Sequence, residues 1–154
     1  MSFSSKISVN FTMEYCGMKN EIFIWHDEVR GYELDIQGIV NNAVYLNYFD
    51  HVRVKQCEAL GVDWSEWHHK GFDFVLYHTD ITYKSALRAH EKFYITSKIE
   101  RVSRLKLLFT QEIYRKPHNQ LVAVAKNTVV CLDNKKNRPV FPRELEALFF
   151  AISF

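Results

Sequence analysis

Tyr32-Glu33-Leu34-Asp35-Ile36-Gln37-Gly38-Ile39-Val40-Asn41-Asn42-Ala43-Val44-Tyr45 places one carboxylate, one glycine and an asparagine pair directly before a long apolar segment. Asp35 is expected to end a strand, Gly38 to allow a tight turn, and Asn41 or Asn42 to cap the helix that follows. The first N–H groups of a helix have no partner within it. An acid set opposite such a terminus can attack a carbonyl while the terminus stabilises the oxyanion that forms. The plainer use of Asp35, opening a turn or capping the helix, is common for aspartate.

From Asn42 to Leu60, Tyr45, Tyr48, Phe49, Val52, Ala59 and Leu60 recur at helical spacing. Ala43, Leu46, Val54 and Cys57 form a second stripe, so the helix is expected to be embedded rather than laid on a surface. Gly61 is placed to stop it, and Val62 to Gly71 reads as a loop or a short helical turn. Before this segment, Glu21 to Tyr32 reads as a first strand. After it come four strands: Phe72 to Lys84, Lys92 to Ile99 with a clean period of two, Leu105 to Arg115, and Leu121 to Leu132. Lys116-Pro117-His118-Asn119 and Asn134 to Pro139 are polar turns, and Pro142 is placed to start a short helix, Arg143 to Phe150. Short turns between the last long strands imply an antiparallel meander. The pattern predicts an α+β fold with a sheet wrapped around one long helix.

With 154 residues the chain suffices for one domain that buries roughly 70% of its unfolded surface. It divides into a polar leader over 1–20, expected to be flexible, and a single domain over 21–154. A net charge of +2 and the lack of a dense Lys/Arg stripe argue against nucleic acid. No apolar run approaches the ~18–20 residues of a membrane span. Three scattered cysteines, Cys16, Cys57 and Cys131, make a poor disulfide framework and suit a reducing compartment, with the cytoplasm as the default. The seven histidines show no metal-ligand spacing, even at His68-His69, so no metal is expected. A Gly-x-Ser-x-Gly elbow and a phosphate-cradling glycine loop are both absent from the sequence.

These segments resemble the hotdog-fold acyl-CoA thioesterases of the 4-hydroxybenzoyl-CoA thioesterase type. The matching residues are Tyr32, Asp35-Ile36-Gln37-Gly38-Ile39-Val40, Asn41-Asn42, Tyr45, Tyr48-Phe49, Asp50 and Arg53. Ile39 stands where the nearest branch has histidine, and Asp50 where a glutamate is usual. Ile81-Thr82-Tyr83 and Gln111 to Arg115 resemble later family segments. The resemblance implies a hotdog domain that hydrolyses an acyl-CoA thioester. Asp35 would be nucleophile or general base, the Asn42 backbone N–H would polarise the carbonyl, and Gly38 would shape the loop. It implies a homodimer with the site at the sheet-edge interface, and in many members a tetramer. Coenzyme A enters as part of the substrate, and no separate cofactor is expected.

Around that centre, Asn41 is expected to brace the turn. Tyr45, Tyr48 and Phe49 read as core, and Tyr45 and Tyr48, with Phe74 or Tyr77, are also candidates to line an acyl pocket. Asp50 and Arg53 read as an intrahelical ion pair. Arg104 and Lys106, beside Arg101, are candidates to hold coenzyme A phosphates, as are Lys84 and Arg88. Glu58 lies ~24 Å along the helix from Asn42, too far to share its chemistry. A dehydratase or hydratase of the same fold pairs a histidine with an acid, and Ile39 lacks that function. A non-catalytic acyl-CoA sensor is the reading from another class, and it gains nothing from an ionised acid beside a thioester. The acyl group, and the choice between coenzyme A and a carrier protein, are left open by the residues.

Overall fold

The computed structural model describes residues 22–150. The expected leader over 1–20 lies outside the described residues, as do residues 21 and 151–154 of the expected domain. The elements run β1 (Phe23–Glu28), a 3-10 turn (Gly31–Glu33), α1 (Asn42–Ala59), α2 (Trp64–His69) and β2 (Phe72–Tyr83). They continue with β3 (Lys92–Arg101), β4 (Lys106–Arg115), β5 (Gln120–Asp133), β6 (Arg138–Pro139) and α3 (Arg143–Phe150).

The sheet is antiparallel in the order β1-β3-β4-β5-β2, with β6 added to the far end of β5. β3, β4 and β5 form the expected meander, and β2 returns to the free side of β5 as an edge strand. The period of two in β3 points Phe93, Ile95, Ser97 and Ile99 inward, all buried, against α1. This is the α+β hotdog arrangement that the resemblance implies.

α1 differs from expectation on one side. Tyr45, Tyr48, Phe49, Val52, Arg53, Gln56 and Cys57 are buried, but Leu46 of the second stripe is 40% exposed. The described residues therefore cover one face of the helix and leave the other open. β1 is also shorter than the expected Glu21 to Tyr32. Arg30 reaches back to Asp27 (2.8 Å) and forward to Glu33 (3.3 Å), which winds Gly31–Glu33 into a 3-10 turn instead of extended chain.

Two apolar clusters fill the space between helix and sheet. One gathers Val40, Tyr45, Tyr48 and Phe49 with Leu87, Phe93 and Ile113 around the start of α1. The other gathers Cys57, Trp67, Leu107 and Phe109 with Leu145 and Phe149 around its end. A buried polar band runs between them. Gln111 Nε2 donates to Phe49 O (3.1 Å), and its Oε1 accepts from Asn127 Nδ2 (2.8 Å) and Arg53 Nη1 (3.3 Å). Gln56 exchanges hydrogen bonds with Ser97 alongside. The expected Asp50–Arg53 pair is present at 2.8 Å, but Arg53 is 3% exposed, and burial lowers the pKa of its guanidinium despite Asp50. Arg53 thus belongs to the core band as much as to the helix surface.

Candidate active site

Leu34 and Val40 form an antiparallel bridge, and Asp35 to Gly38 close it as a turn. The Asp35 N–H donates to Ile39 O (2.8 Å), and the Gly38 N–H donates to Asp35 O (3.0 Å). Asp35 therefore stands at the first corner of this turn, after the 3-10 segment, rather than at the end of a strand. Its Oδ1 accepts the Gln37 N–H at 2.8 Å, which realises the turn-opening role. Oδ2 has no hydrogen-bond partner among the described residues, and the side chain is half-buried. One carboxylate oxygen thus holds the turn and the other is available for chemistry.

The same turn delivers the chain to α1. The Asn41 N–H donates to Glu33 O (2.9 Å) and the Val40 N–H to Leu87 O (2.9 Å). Of the two asparagines Asn41 is the cap: its Oδ1 accepts from the Ala43 N–H at 3.0 Å. Asn42 is the first helical residue, and its N–H has no acceptor among the described residues. Tyr83 Oη donates to Asn42 O (3.0 Å), fixing the helix start to the end of edge strand β2. Cα atoms paired in such a bridge lie about 5 Å apart. Asp35 and Asn42, each within two residues of the Leu34–Val40 bridge, thus sit on neighbouring segments. The helix terminus contributes roughly half a positive charge at Asn42.

Gly38 has φ +74°, the left-handed region that L side chains seldom enter, while a Cβ there would meet no atom within 4 Å. Gly38→Ala therefore costs backbone strain alone, about 1–2 kcal/mol. Thermal melts should show that loss together with a drop in activity as the turn shifts. Unchanged melting and unchanged turnover would remove the conformational role given to Gly38.

Other expected residues fall elsewhere. Tyr45 and Tyr48 are 3% and 5% exposed, and both hydroxyls are engaged. Tyr45 Oη accepts from the Leu87 N–H (3.2 Å), and Tyr48 Oη donates to Glu33 Oε2 (2.5 Å). Both rings are core, because the face of α1 that carries them is the face the sheet covers. Phe74 packs against Trp64 and Trp67 in the far cluster. Arg104 and Lys106 lie at the β3–β4 turn, at the end of the molecule where α1 finishes, roughly 25 Å from Asn42 by helix length. Lys106 Nζ sits 4.2 Å from the ring centre of Tyr77. Arg101 is paired with Glu146. Lys84 and Arg88, by contrast, are exposed on the connection that meets the start of α1.

No group of three metal-ligating side chains occurs among the described residues. His68 is bonded to Asp73 and His69 to Ser65 O. Burial pushes the Cys57 and Cys131 thiols up to about 12, so neither is a ready nucleophile. The residue that sequence reasoning misses is Glu33, 8% exposed and hydrogen-bonded to Tyr48 and Arg30. The available signal was an acid flanked by Tyr32 and Leu34, two positions ahead of Asp35.

Comparison with known proteins agrees with this fold. The pattern of the Thioesterase-like superfamily matches residues 29–149. A chloroplastic acyl-acyl carrier protein thioesterase of Arabidopsis thaliana is 33% identical over 122 residues, 79% of this chain and 65% of that protein. A long-chain acyl-CoA thioesterase of Escherichia coli is 31% identical over 112 residues, 72% of this chain and 83% of that protein. The chain spans just under two thirds, 65% and 64%, of the two Arabidopsis relatives it matches. A 1,4-dihydroxy-2-naphthoyl-CoA thioesterase from Synechocystis superposes with a TM-score of 0.79 over 84% of this chain and 96% of its own. At 17% identity that likeness speaks for the fold alone. A match that takes in the Asp35 turn, α1 and the four long strands β2 to β5 shows that the chain belongs to the Thioesterase-like superfamily.

Proposed function

We propose that the protein is a thioester hydrolase that releases a carboxylic acid and a free thiol from an acyl-CoA or an acyl carrier protein. The observation that carries this reading is the Asp35 turn, bridged to the capped start of α1, with Asp35 Oδ2 and the Asn42 N–H both unspent. A thioester carbonyl accepting from the Asn42 N–H gains charge stabilisation as its oxygen becomes an oxyanion. Asp35 then acts by one of two routes. Its carboxylate adds to the carbonyl carbon, the C–S bond breaks, thiolate leaves, and water hydrolyses the anhydride. Alternatively it takes a proton from water as that water adds, and the C–S bond breaks on collapse. Single turnover in 18O-water tests the first route, since only an anhydride that water opens at the Asp35 carboxyl carbon places solvent oxygen in Asp35. The substrate supplies the coenzyme A or pantetheine group, and the residues call for no other cofactor.

The functional unit is a homodimer built on the β2 edge. Among the described residues β2 has one unpaired side, and Val75, Leu76 and Tyr77 are 41%, 45% and 65% exposed. Long apolar edge strands invite pairing with another strand. Two β2 edges running antiparallel set the Phe72 end of one beside the Tyr83 end of the other. Arg104 and Lys106 then reach the mouth of the site from the second subunit, although they lie far from Asn42 within one. Leu76→Asp should give monomers by sedimentation and lose most activity. An unchanged assembly would rule out this edge. Among the described residues no helix is long and apolar enough to cross a membrane. The two buried free thiols fit a reducing compartment such as the cytoplasm.

A panel of acyl-CoA and acyl carrier protein thioesters of varied chain length, read by thiol release, tests the reading. Turnover of at least one class is expected. Tight binding without thiol release would leave a sensor.

A further inference from the structure

We infer that Glu33 and Tyr48 are a positioning pair, which holds the Asp35 turn at the start of α1 in the productive arrangement. The inference rests on the thioester-hydrolase reading for its kinetic consequence, but its geometry stands alone. Glu33 is the hub. Its Oε2 accepts from Tyr48 Oη (2.5 Å) and from the Arg30 N–H (2.8 Å). Its Oε1 accepts from Arg30 Nη1 (3.3 Å), and its backbone carbonyl accepts the Asn41 N–H (2.9 Å).

One residue therefore ties three parts together: the end of the 3-10 turn, the N-cap of α1, and a ring two turns along the same helix. Between the two backbone anchors, Glu33 and Asn41, lies nothing but the loop that carries Asp35. Tyr48 is seated between Tyr45 and Phe93, with ring centres 6.1 and 4.9 Å away. Its hydroxyl is thus fixed by packing before Glu33 binds it. Burial and the Glu33 carboxylate both push the Tyr48 phenol up, so it stays a donor at any working pH. A buried carboxylate is costly unless fully hydrogen-bonded. The chain has kept one here, with three donors around it, two residues from the acid assigned to the chemistry. Displacing a reacting group by about 1 Å can cost on the order of 100-fold in rate.

Three variants test the pair. Tyr48→Phe keeps the ring and its packing and removes a single hydrogen bond. Its kcat should fall about tenfold, with KM within about twofold, because a positioning loss acts on the chemical step rather than on binding. Glu33→Ala should fall on the order of 100-fold. Glu33→Gln should recover at least about tenfold over alanine, since its amide oxygen can still accept from Tyr48 and the Arg30 N–H. Exposed Arg30 can meanwhile swing to Asp27.

Amide hydrogen exchange supplies a readout that needs no turnover. In Tyr48→Phe the Asp35, Gly38 and Asn41 amides should exchange at least about fivefold faster while β4 amides stay unchanged. If the parent protein hydrolyses no thioester, the hydrolase reading fails and the exchange result still decides the pairing. Parent-like kcat in Tyr48→Phe and Glu33→Ala, raised KM at constant kcat, or unaltered exchange across the turn would each overturn the inference.

Discussion

Asp35→Asn is expected to lower thioester turnover by at least about 1000-fold, with no loss of fold. Asparagine matches the shape of aspartate, and its Oδ1 can still accept the Gln37 N–H, so the turn from Asp35 to Gly38 keeps its hydrogen bonds. The amide can neither add to a carbonyl as a carboxylate does nor take a proton from water. Stability should stay within about 0.5 kcal/mol, as for a surface substitution that keeps its contacts. Steady-state thiol release on the best acyl thioester, alongside a thermal melt, checks both halves. Comparable rates for the variant and the parent would remove Asp35 from the chemistry. A collapsed melt would show that its structural duty outweighs its chemical one.

Gln111→Leu is expected to be the most damaging conservative-volume change to the fold. Gln111 is fully buried and satisfies three other groups: the Phe49 carbonyl, the Asn127 amide and the Arg53 guanidinium. Leucine fills similar space but leaves all three unpaired or underpaired. Each orphaned buried polar group costs about 1–3 kcal/mol, more when charged. A loss of about 3 kcal/mol or more follows, or roughly 10 °C in melting temperature for a domain of this size. Denaturation in urea should show a lower midpoint with an unchanged slope. Arg53→Met is expected to be milder, because it takes away the buried charge along with its needs. Equal melting of Gln111→Leu and the parent would mean that the band is not a cooperative unit.

The parts of the fold that the sequence discloses are those set by local pattern. α1 begins at Asn42 as its asparagine pair and helical spacing indicate, and α3 starts one residue after Pro142. β3 shows its inward face as a plain alternation, because only one side of the sheet meets the helix. The turn at Gly38 is legible because a positive φ needs glycine.

What stays hidden depends on partners distant in sequence. Arg53 reads as half of a surface ion pair, and nothing near it in the chain announces Gln111 on β4. Tyr48 reads as a core or pocket ring, and the sequence does not show that Glu33 claims its hydroxyl from fifteen residues away. Arg104 and Arg88 look equivalent as basic turns. Strand order alone places one at the end of α1 and the other near its start.

A crystal structure with a non-hydrolysable thioether or amide analogue of the preferred thioester tests the pairing of Asp35 with the start of α1. The carbonyl oxygen is expected within about 3 Å of the Asn42 nitrogen. Asp35 Oδ2 is expected within about 3.5 Å of the carbonyl carbon, or one water away from it. A carbonyl seated beyond reach of both groups, with Asp35 turned to solvent, would contradict that pairing.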